Sequence, residues 1–144
     1  FIYAGAAADP SCKNQRSLEN RIKKKKEAGA RFIQTQMIME KENLIEFCEK
    51  ISNPLEIPVI AGVFLLKSYK NALFINKYVP GANIPDNILN RLKDAKDPSE
   101  EGIQIAAEQA QEFYSIANGV HLMAVKAEHL IPKILAKANI SLEY

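Results

Sequence analysis

Two glutamines lie two positions apart in an otherwise largely apolar stretch, RFIQTQMIME, which runs from Arg31 to Glu40. Successive side chains of a β-strand alternate between faces, so Gln34 and Gln36 would share one face. Phe32 and Ile38 would lie on that same face. A primary amide buried without partners costs about 1–3 kcal/mol. The strand is therefore expected either to bond both amides to nearby polar groups or to end where a ligand meets it.

Cationic residues are concentrated in the run RIKKKK, from Arg21 to Lys26. This run ends a helix-like stretch from about Ser11 to Ala28, and Gly29 is placed to cap its C-terminus. The lysines could form a solvated basic face that complements the helix dipole, or a phosphate-binding edge. A nucleic-acid surface is the least favoured interpretation, because aromatic residues do not alternate with the cations as base stacking requires.

Other residues capable of chemistry are isolated in the sequence. His121 lies in the apolar run Val120 to Val125 and could be a ligand or a base, although such a histidine is more often hydrogen-bonded within a core. Cys12 and Cys48 have no Cys or His partner at metal-ligand spacing, which predicts neither a zinc site nor a disulfide framework. We interpret both as reduced thiols of a cytoplasmic protein, with Cys48 on an apolar helix stripe.

The composition is that of an ordinary globular domain, with 144 residues, 47% hydrophobic and 25% charged. The net charge of +2 gives no overall field that would attract nucleic acid or an anionic membrane. No apolar run approaches the ~20 residues that a membrane helix needs. The chain begins at Phe1, inside a strand-like run, so we expect it to be a piece of something longer.

Apolar runs and helical patterns alternate along the chain. Strands are predicted at residues 1–8, 31–40, 57–66 and 120–125, and the first is expected to be a buried strand. Helices are predicted at about residues 11–28, 43–51, 68–78, 86–92, 97–117 and from about residue 130. Four such βα units require parallel strands joined by right-handed crossovers. They would build either a flavodoxin-like sheet or half of an eight-unit barrel, and periodicity does not separate the two.

Local signals define several of these elements. Ser68 is placed as the N-cap of one helix and Asp97 as the N-cap of the longest one, with a proline at its first position. The longest helix is expected to bury an apolar stripe that ends at Phe113 and Tyr114. Small residues follow Gly5 in the first strand, where a flat ligand could approach the backbone, although tight packing would select them equally well.

The segments AGARFIQTQMIM, PVIAGVFLLKSYKN, DAKDPSEEGIQIAAEQ and NGVHLMAV resemble the methylenetetrahydrofolate reductase family. The resemblance runs from about Phe1 to Ile140. Its most specific parts are the strand G-A-x-F-I-x-T-Q and the strand G-V-H-x-M-A. Members of this family are (β/α)8 barrels about twice as long as this chain. The resemblance therefore implies an α/β fold in which residues 1–144 form a single domain, the C-terminal half of a TIM barrel.

The resemblance also implies an activity. In this family a bound flavin, FAD or FMN, takes electrons from NAD(P)H or another donor. It then reduces 5,10-methylenetetrahydrofolate to 5-methyltetrahydrofolate in one-carbon metabolism. The chain would need the N-terminal half-barrel or a partner protein, and we expect it to form oligomers. The alternative is a non-catalytic half-barrel that serves as an assembly module, and nucleic-acid binding ranks last.

Site residues follow from the same resemblance. The expected substrate-binding residues are Gln36, Asn71 and Ile75. The expected flavin-binding residues are Gly5, Asp9, Arg21, Lys24 and Lys25. The chain departs from the family at Gly5, where many members have a stacking tyrosine, at Leu18, where an acid stands, and at Ala127, where an arginine stands. No catalytic residue is assigned, because the general acid of the family belongs to the other half, and no metal is expected. Gln34, deeper in its strand than Gln36, is predicted to be a core amide.

Overall fold

Four parallel strands in consecutive order form the single sheet of residues 2–141, the part of the chain that a computed structural model describes. The strands are β1 (Gly5–Ala8), β2 (Phe32–Met37), β3 (Val59–Phe64) and β4 (Gly119–Met123). The sheet order is β1-β2-β3-β4. A flavodoxin-like sheet places its second strand outside its first, so this order excludes it. The predicted α/β fold of four consecutive βα units is confirmed.

Helices connect the strands and follow the last one. They are α1 (Gln15–Glu27), α2 (Lys41–Phe47), α3 (Tyr69–Tyr78), α4 (Asp86–Asp94), α5 (Pro98–Tyr114) and α6 (Ile131–Lys137). A π-helical turn, Cys48–Ser52, extends α2, and a 3₁₀ turn, Glu128–Leu130, precedes α6. No helix within residues 2–141 has the length and apolar sequence needed to cross a bilayer.

Side-chain caps set several helix starts. The Ser68 hydroxyl accepts a hydrogen bond from the Asn71 amide at 3.1 Å, and the Asp97 carboxylate accepts from the Ser99 amide at 3.0 Å, as predicted. Helix α1 starts at Gln15 rather than near Ser11. The reason is a turn in which the Asp9 carbonyl and carboxylate accept hydrogen bonds from the residues that follow it.

The first strand differs most from its prediction. Phe1 lies outside the described residues, and β1 begins only at Gly5. Ile2 and Tyr3 are 87% and 63% exposed, and Ala8 is the one buried residue of β1. The prediction of a buried strand was wrong, because β1 is an edge strand with a neighbour on one side only. Strand β4 forms the other edge, as the half-barrel interpretation predicts.

Helices cover one face of the sheet and leave the other open. On the covered face Ile33, Val59, Ala61 and Val63 are at most 1% exposed, within a core that includes residues from α1, α2, α5 and α6. A second cluster joins α3, α4 and α5. Tyr114 was predicted to be buried but is 57% exposed, because the stripe of α5 that packs on the sheet ends at Phe113.

Candidate functional site

The open face of the sheet carries the polar residues singled out in β2. Gln34 and Gln36 are exposed, whereas Ile33 and Thr35 between them are 0% and 3% exposed. The prediction that Gln34 is a core amide was therefore wrong for this chain. Ile38 also departs from the expected alternation, because it is 3% exposed and joins the covered core. The cause is a shift of register between Gln34 and Met37.

A groove runs across this open face from β1 to β4. It is lined by Gly5, Ala6, Ala7, Phe32, Gln34, Thr35, Gln36, His121 and Met123. His121 Nε2 lies 3.1 Å from the Thr35 carbonyl oxygen, and its Nδ1 lies 3.5 Å from Nε2 of Gln34. A carbonyl only accepts, so Nε2 carries the ring proton and Nδ1 accepts from the Gln34 amide. The histidine is hydrogen-bonded, as expected, but it lies on the open face rather than in the core.

A smaller pocket lies where β1 ends. Its lining residues are Ala7, Ala8, Asp9, Leu18, Arg21, Lys25 and Gln36. Three residues expected to bind flavin, namely Asp9, Arg21 and Lys25, thus lie in one pocket with Gln36, which is expected to bind the substrate. The C-terminal ends of parallel barrel strands are where enzyme sites are built. The structure therefore brings three of the five expected flavin-binding residues and one of the three expected substrate-binding residues together at the C-terminal end of the strands.

The cations of this pocket are already oriented by the chain. The Lys25 amine donates to the carbonyl oxygen of Ala7, the third residue of β1. The Arg21 guanidinium donates to the Cys12 sulfur, with Nη2 at 3.2 Å from Sγ. Both side chains are thereby directed toward the end of β1, and each keeps further N–H groups for a ligand.

The rest of the lysine run has different partners. Lys23 forms an ion pair with Glu19 at 2.7 Å, and Lys26 donates to the Leu55 carbonyl. Lys24 instead lines a groove along α1, together with Arg21 and Arg16. The run is thus not a uniform solvated face, because Lys24 lines the α1 groove and Lys25 lines the pocket at the end of β1.

Four residues of this α1 groove, Asn14, Arg16, Ser17 and Asn20, were not expected from the sequence. The full lining is Asn14, Arg16, Ser17, Asn20, Arg21 and Lys24. Arg16, Asn20 and Lys24 recur every four residues, which puts them on one face of a helix, so this spacing could have identified the groove. Guanidinium, amine and amide donors in one groove fit the phosphate oxygens of a flavin nucleotide.

A close contact in the structure explains why residue 5 is a glycine, and the sequence did not reveal this contact. A Cβ atom placed on Gly5 would lie 2.3 Å from Cζ of Phe32. The Phe32 ring occupies the space above the glycine and stacks on Tyr3, with ring centroids 5.9 Å apart. Gly5 also pairs with Phe32 at the N-terminal end of β1, away from the C-terminal ends of the strands. In this structure the glycine makes room for a side chain of the neighbouring strand.

Asp9 takes part in the turn after β1. Its carboxylate accepts a hydrogen bond from the Ser11 amide at 3.0 Å. A Cβ atom on Gly81 would lie 2.9 Å from Asp9 Oδ2, and Gly81 has a φ of +80°. The loop between α3 and α4 therefore approaches this carboxylate closely, at a residue whose backbone conformation favours glycine.

The two remaining substrate-binding candidates lie in α3. Asn71 is half-buried, and its Oδ1 accepts a hydrogen bond from the Lys67 amide at 3.1 Å, just beyond β3. Ile75 is 4% exposed and belongs to the cluster that joins α3, α4 and α5. In this chain Asn71 thus lies at the strand ends, whereas Ile75 packs helices together and offers almost no surface to a ligand.

The loops after β3 and β4 are tied to each other. The Lys67 amine donates to the Val125 carbonyl at 3.0 Å. The Glu128 carboxylate accepts from backbone N–H groups, including that of Lys126 at 3.1 Å, and these bonds lower the pKa of Glu128. Charged groups of both signs therefore border the ends of β3 and β4.

Cys48 is buried, whereas Cys12 is half-buried. Burial raises the pKa of the Cys48 thiol, as expected for an unreactive core residue. Both cysteines are free thiols. Within the described part of the chain, no cluster of three or more His, Cys, Asp or Glu residues could hold a metal ion.

Comparison with known proteins identifies the family. The sequence model of the methylenetetrahydrofolate reductase family matches residues 3–139. This chain belongs to that family. It is 28% identical over 127 residues to methylenetetrahydrofolate reductase 2 of Saccharomyces cerevisiae. It is 24% identical over 127 residues to methylenetetrahydrofolate reductase 1 of Schizosaccharomyces pombe. Both matches cover 83% of this chain and 21% of the yeast protein.

A solved structure has the same fold. It is an uncharacterized protein from Clostridium thermocellum, described as binding two copies of 5-methyl-5,6,7,8-tetrahydrofolic acid. The TM-score is 0.69 at 20% sequence identity, over 93% of this chain and 51% of that one. The chain thus spans about half of the solved protein and about a fifth of each yeast reductase.

Proposed function

We propose that this chain forms the folate- and flavin-binding part of a methylenetetrahydrofolate reductase, which reduces 5,10-methylenetetrahydrofolate to 5-methyltetrahydrofolate. The observation that carries the proposal is the pocket at the end of β1, where Gln36 lies together with Arg21 and Lys25. An amide suited to a pterin edge and cations suited to phosphate meet there. Membership of the family supports the same substrate.

Each group has a proposed role. The Gln36 amide offers a donor and an acceptor that orient the pterin ring. Asn71 lies at the neighbouring strand end and contributes to the same substrate site. Arg21 and Lys24 hold the phosphate of FAD or FMN, and Lys25 and Asp9 shape the rim of that site. Bound flavin would supply the hydride-transfer chemistry, with electrons from NAD(P)H or another donor.

The proposal treats residues 1–144 as one domain that supplies half of a TIM barrel. Strands β1 and β4 have an unpaired edge each, and the open face of the sheet has polar and aromatic residues without a covering layer. Closure removes such edges in a barrel. The N-terminal half-barrel, or a partner protein that takes its place, would pair both edges and cover the face.

A second candidate function rests on the same edges. A half-barrel that has lost catalysis could serve as an assembly module, because unpaired strand edges promote association. Such a module would keep the edges but would have no need for the α1 groove. A measurement of ligand binding therefore distinguishes the reductase from the assembly module.

The test uses the purified 144-residue chain. We expect the chain to retain visible flavin absorbance after incubation with FAD or FMN and dialysis into flavin-free buffer, and to bind 5-methyltetrahydrofolate in calorimetry. Light scattering in the same samples reports association. Binding of neither compound by a folded, associated chain would overturn the reductase proposal and support the assembly module.

A further inference from the structure

The strand that carries Gln36 is irregular at that residue. Gln34 pairs with Ile60 of β3, and the next pairing joins Met37 to Gly62. Three steps along β2 therefore match two steps along β3, so β2 contains one extra residue, which makes a β-bulge. Bulges bend a strand and change the direction of a side chain, and they recur beside active sites.

The Thr35 hydroxyl holds this bulge together. Its Oγ1 accepts a hydrogen bond from the Gly62 amide at 2.9 Å and donates to the Gln36 carbonyl at 2.8 Å. Thr35 is 3% exposed, so these two bonds are shielded from water. The hydroxyl thus supplies the partner that the irregular ladder does not provide for the Gly62 amide.

His121 reaches the same bulge from the other side of β3. Its Nε2 donates to the Thr35 carbonyl at 3.1 Å, although His121 belongs to β4 and Thr35 to β2. Gly62 of β3, which pairs with His121, makes this possible. A Cβ atom on Gly62 would lie 3.0 Å from that Nε2 and 2.7 Å from the Gln36 carbonyl oxygen. The ring can cross β3 only because residue 62 has no side chain.

The Gln36 side chain depends on this support. Within residues 2–141 its amide forms no hydrogen bond to the protein, so the backbone, which sets the direction of the Cα–Cβ bond, limits where the amide can reach. Two atoms of this backbone, the carbonyl oxygens of Thr35 and Gln36, accept bonds from the side chains just described. A shift of the bulge would turn the Gln36 amide away from the pocket at the end of β1.

We propose that Thr35 and His121 are positioning residues that act through Gln36, with Gly62 as the gap that lets His121 reach β2. The proposal deepens the function given above and rests on it, because it assumes that Gln36 contacts the folate. Thr35 and His121 themselves hold the backbone, and the Gln36 amide makes the contact.

A double-mutant cycle tests this proposal. Thr35→Val removes the hydroxyl at nearly constant shape, and Thr35→Ser keeps it. We expect Thr35→Val to weaken binding of 5-methyltetrahydrofolate about tenfold, the effect of one lost buried pairing. Thr35→Ser should bind within about threefold of the parent. In the Gln36→Leu background, Thr35→Val should weaken binding by less than about twofold, because no oriented amide remains to be lost.

His121→Phe provides an independent arm, because it keeps a ring and removes the N–H donor. It should also weaken binding in the parent and not in the Gln36→Leu background. Equal losses in both backgrounds would overturn the proposal, since the residues would then act through general stability. A loss in Thr35→Ser as large as that in Thr35→Val would overturn the role of the hydroxyl.

A ligand-free measurement separates this inference from the proposed function. Two-dimensional NMR of the ¹⁵N-labelled chain should show faster amide hydrogen exchange at Gly62 in Thr35→Val than in Thr35→Ser, and a displaced Gln36 backbone resonance. If the parent does not bind 5-methyltetrahydrofolate, the reductase proposal fails while these NMR differences still decide whether the bulge is held as described. Unchanged Gly62 exchange and Gln36 resonance in Thr35→Val would overturn the inference.

Discussion

The covered and open faces of the sheet are built from the same strands but differ in burial and in residue type. In β2, Ile33 is fully buried beneath helices, whereas the next residue, Gln34, is exposed on the open face. The covered face is aliphatic and closely packed, and the open face combines amides and an imidazole with small residues. One step along the strand thus separates a buried side chain from an exposed one, so substitutions one residue apart should have unlike effects on stability.

The largest effect on stability is expected on the covered face. Ile33→Ala leaves a cavity among helices that cannot close over it, which should lower the free energy of unfolding by about 2–5 kcal/mol. Gln34→Ala, its neighbour on the open face, loses only a long contact to His121 and should cost far less. Urea denaturation of both variants measures the difference. Similar losses would mean that the two faces are not energetically distinct.

Gln36→Leu should show the opposite pattern. Loss of a pairing with the pterin should weaken folate binding by about 1–3 kcal/mol, or roughly tenfold to a hundredfold, at nearly unchanged stability. Gln34→Leu is the matched control, because it has the same change on the same face but lies away from the pocket at the end of β1. Calorimetry with 5-methyltetrahydrofolate measures the affinity of both variants. A greater loss of affinity in Gln34→Leu would indicate that the folate binds nearer the centre of the groove.

Lys24→Ala extends the comparison to α1. Lys24 lines the α1 groove, whereas the adjacent Lys23 is paired with Glu19. We expect Lys24→Ala to reduce flavin retention several-fold, while a charge near the helix end contributes only ~0.3–1 kcal/mol to the fold. Lys23→Ala removes the same charge one residue away and should leave the flavin content unchanged. Equal flavin loss in the two variants would indicate a general charge effect.

The smallest effect is expected in the helix layer, between α4 and α5. Arg91 binds Glu101 and Glu108, each at 2.6 Å, and the hydrogen bond from Arg91 lowers the pKa of Glu108 below 4.5. Because these side chains are partly exposed, we expect Arg91→Ala to cost at most about 1 kcal/mol.

The direction of the pH effect follows from that lowered pKa. The contribution of Glu108 is fully present above pH 4.5, its ordinary pKa, and is lost as the pH falls through the lower pKa of the folded state. The difference in the free energy of unfolding between the parent and Arg91→Ala should therefore shrink as the pH falls below 4.5. Acid titrations of unfolding for Arg91→Ala and the parent measure this, and parallel curves would contradict it.

Much of the fold could be predicted because its signals are local. Ser68 and Asp97 are caps in the sequence and in the structure, since a cap needs only the residues that follow it. The alternation of strand and helix likewise depends on short-range periodicity. The first strand was predicted less well, because the apolar run that starts at Phe1 does not reveal whether a second strand lies beside it.

The candidate site was predicted in part. Gln36 was expected to bind the substrate and Arg21 and Lys25 the flavin, and the three lie in one pocket. Ile75 was expected at the substrate and is instead buried between helices. Its apolar character suits both environments, and only the packing of α3 against α4 and α5 selects one of them.

The sequence by itself determined the order of elements, their caps and the residue types available for binding, because these depend on neighbours within a few positions. Tertiary structure alone decided the bulge at Thr35, the reach of His121 across Gly62 and the contact of Phe32 with Gly5. Each of these joins residues at least 27 positions apart. Such contacts depend on strand register, and a single added residue in β2 reverses which face the following side chains occupy.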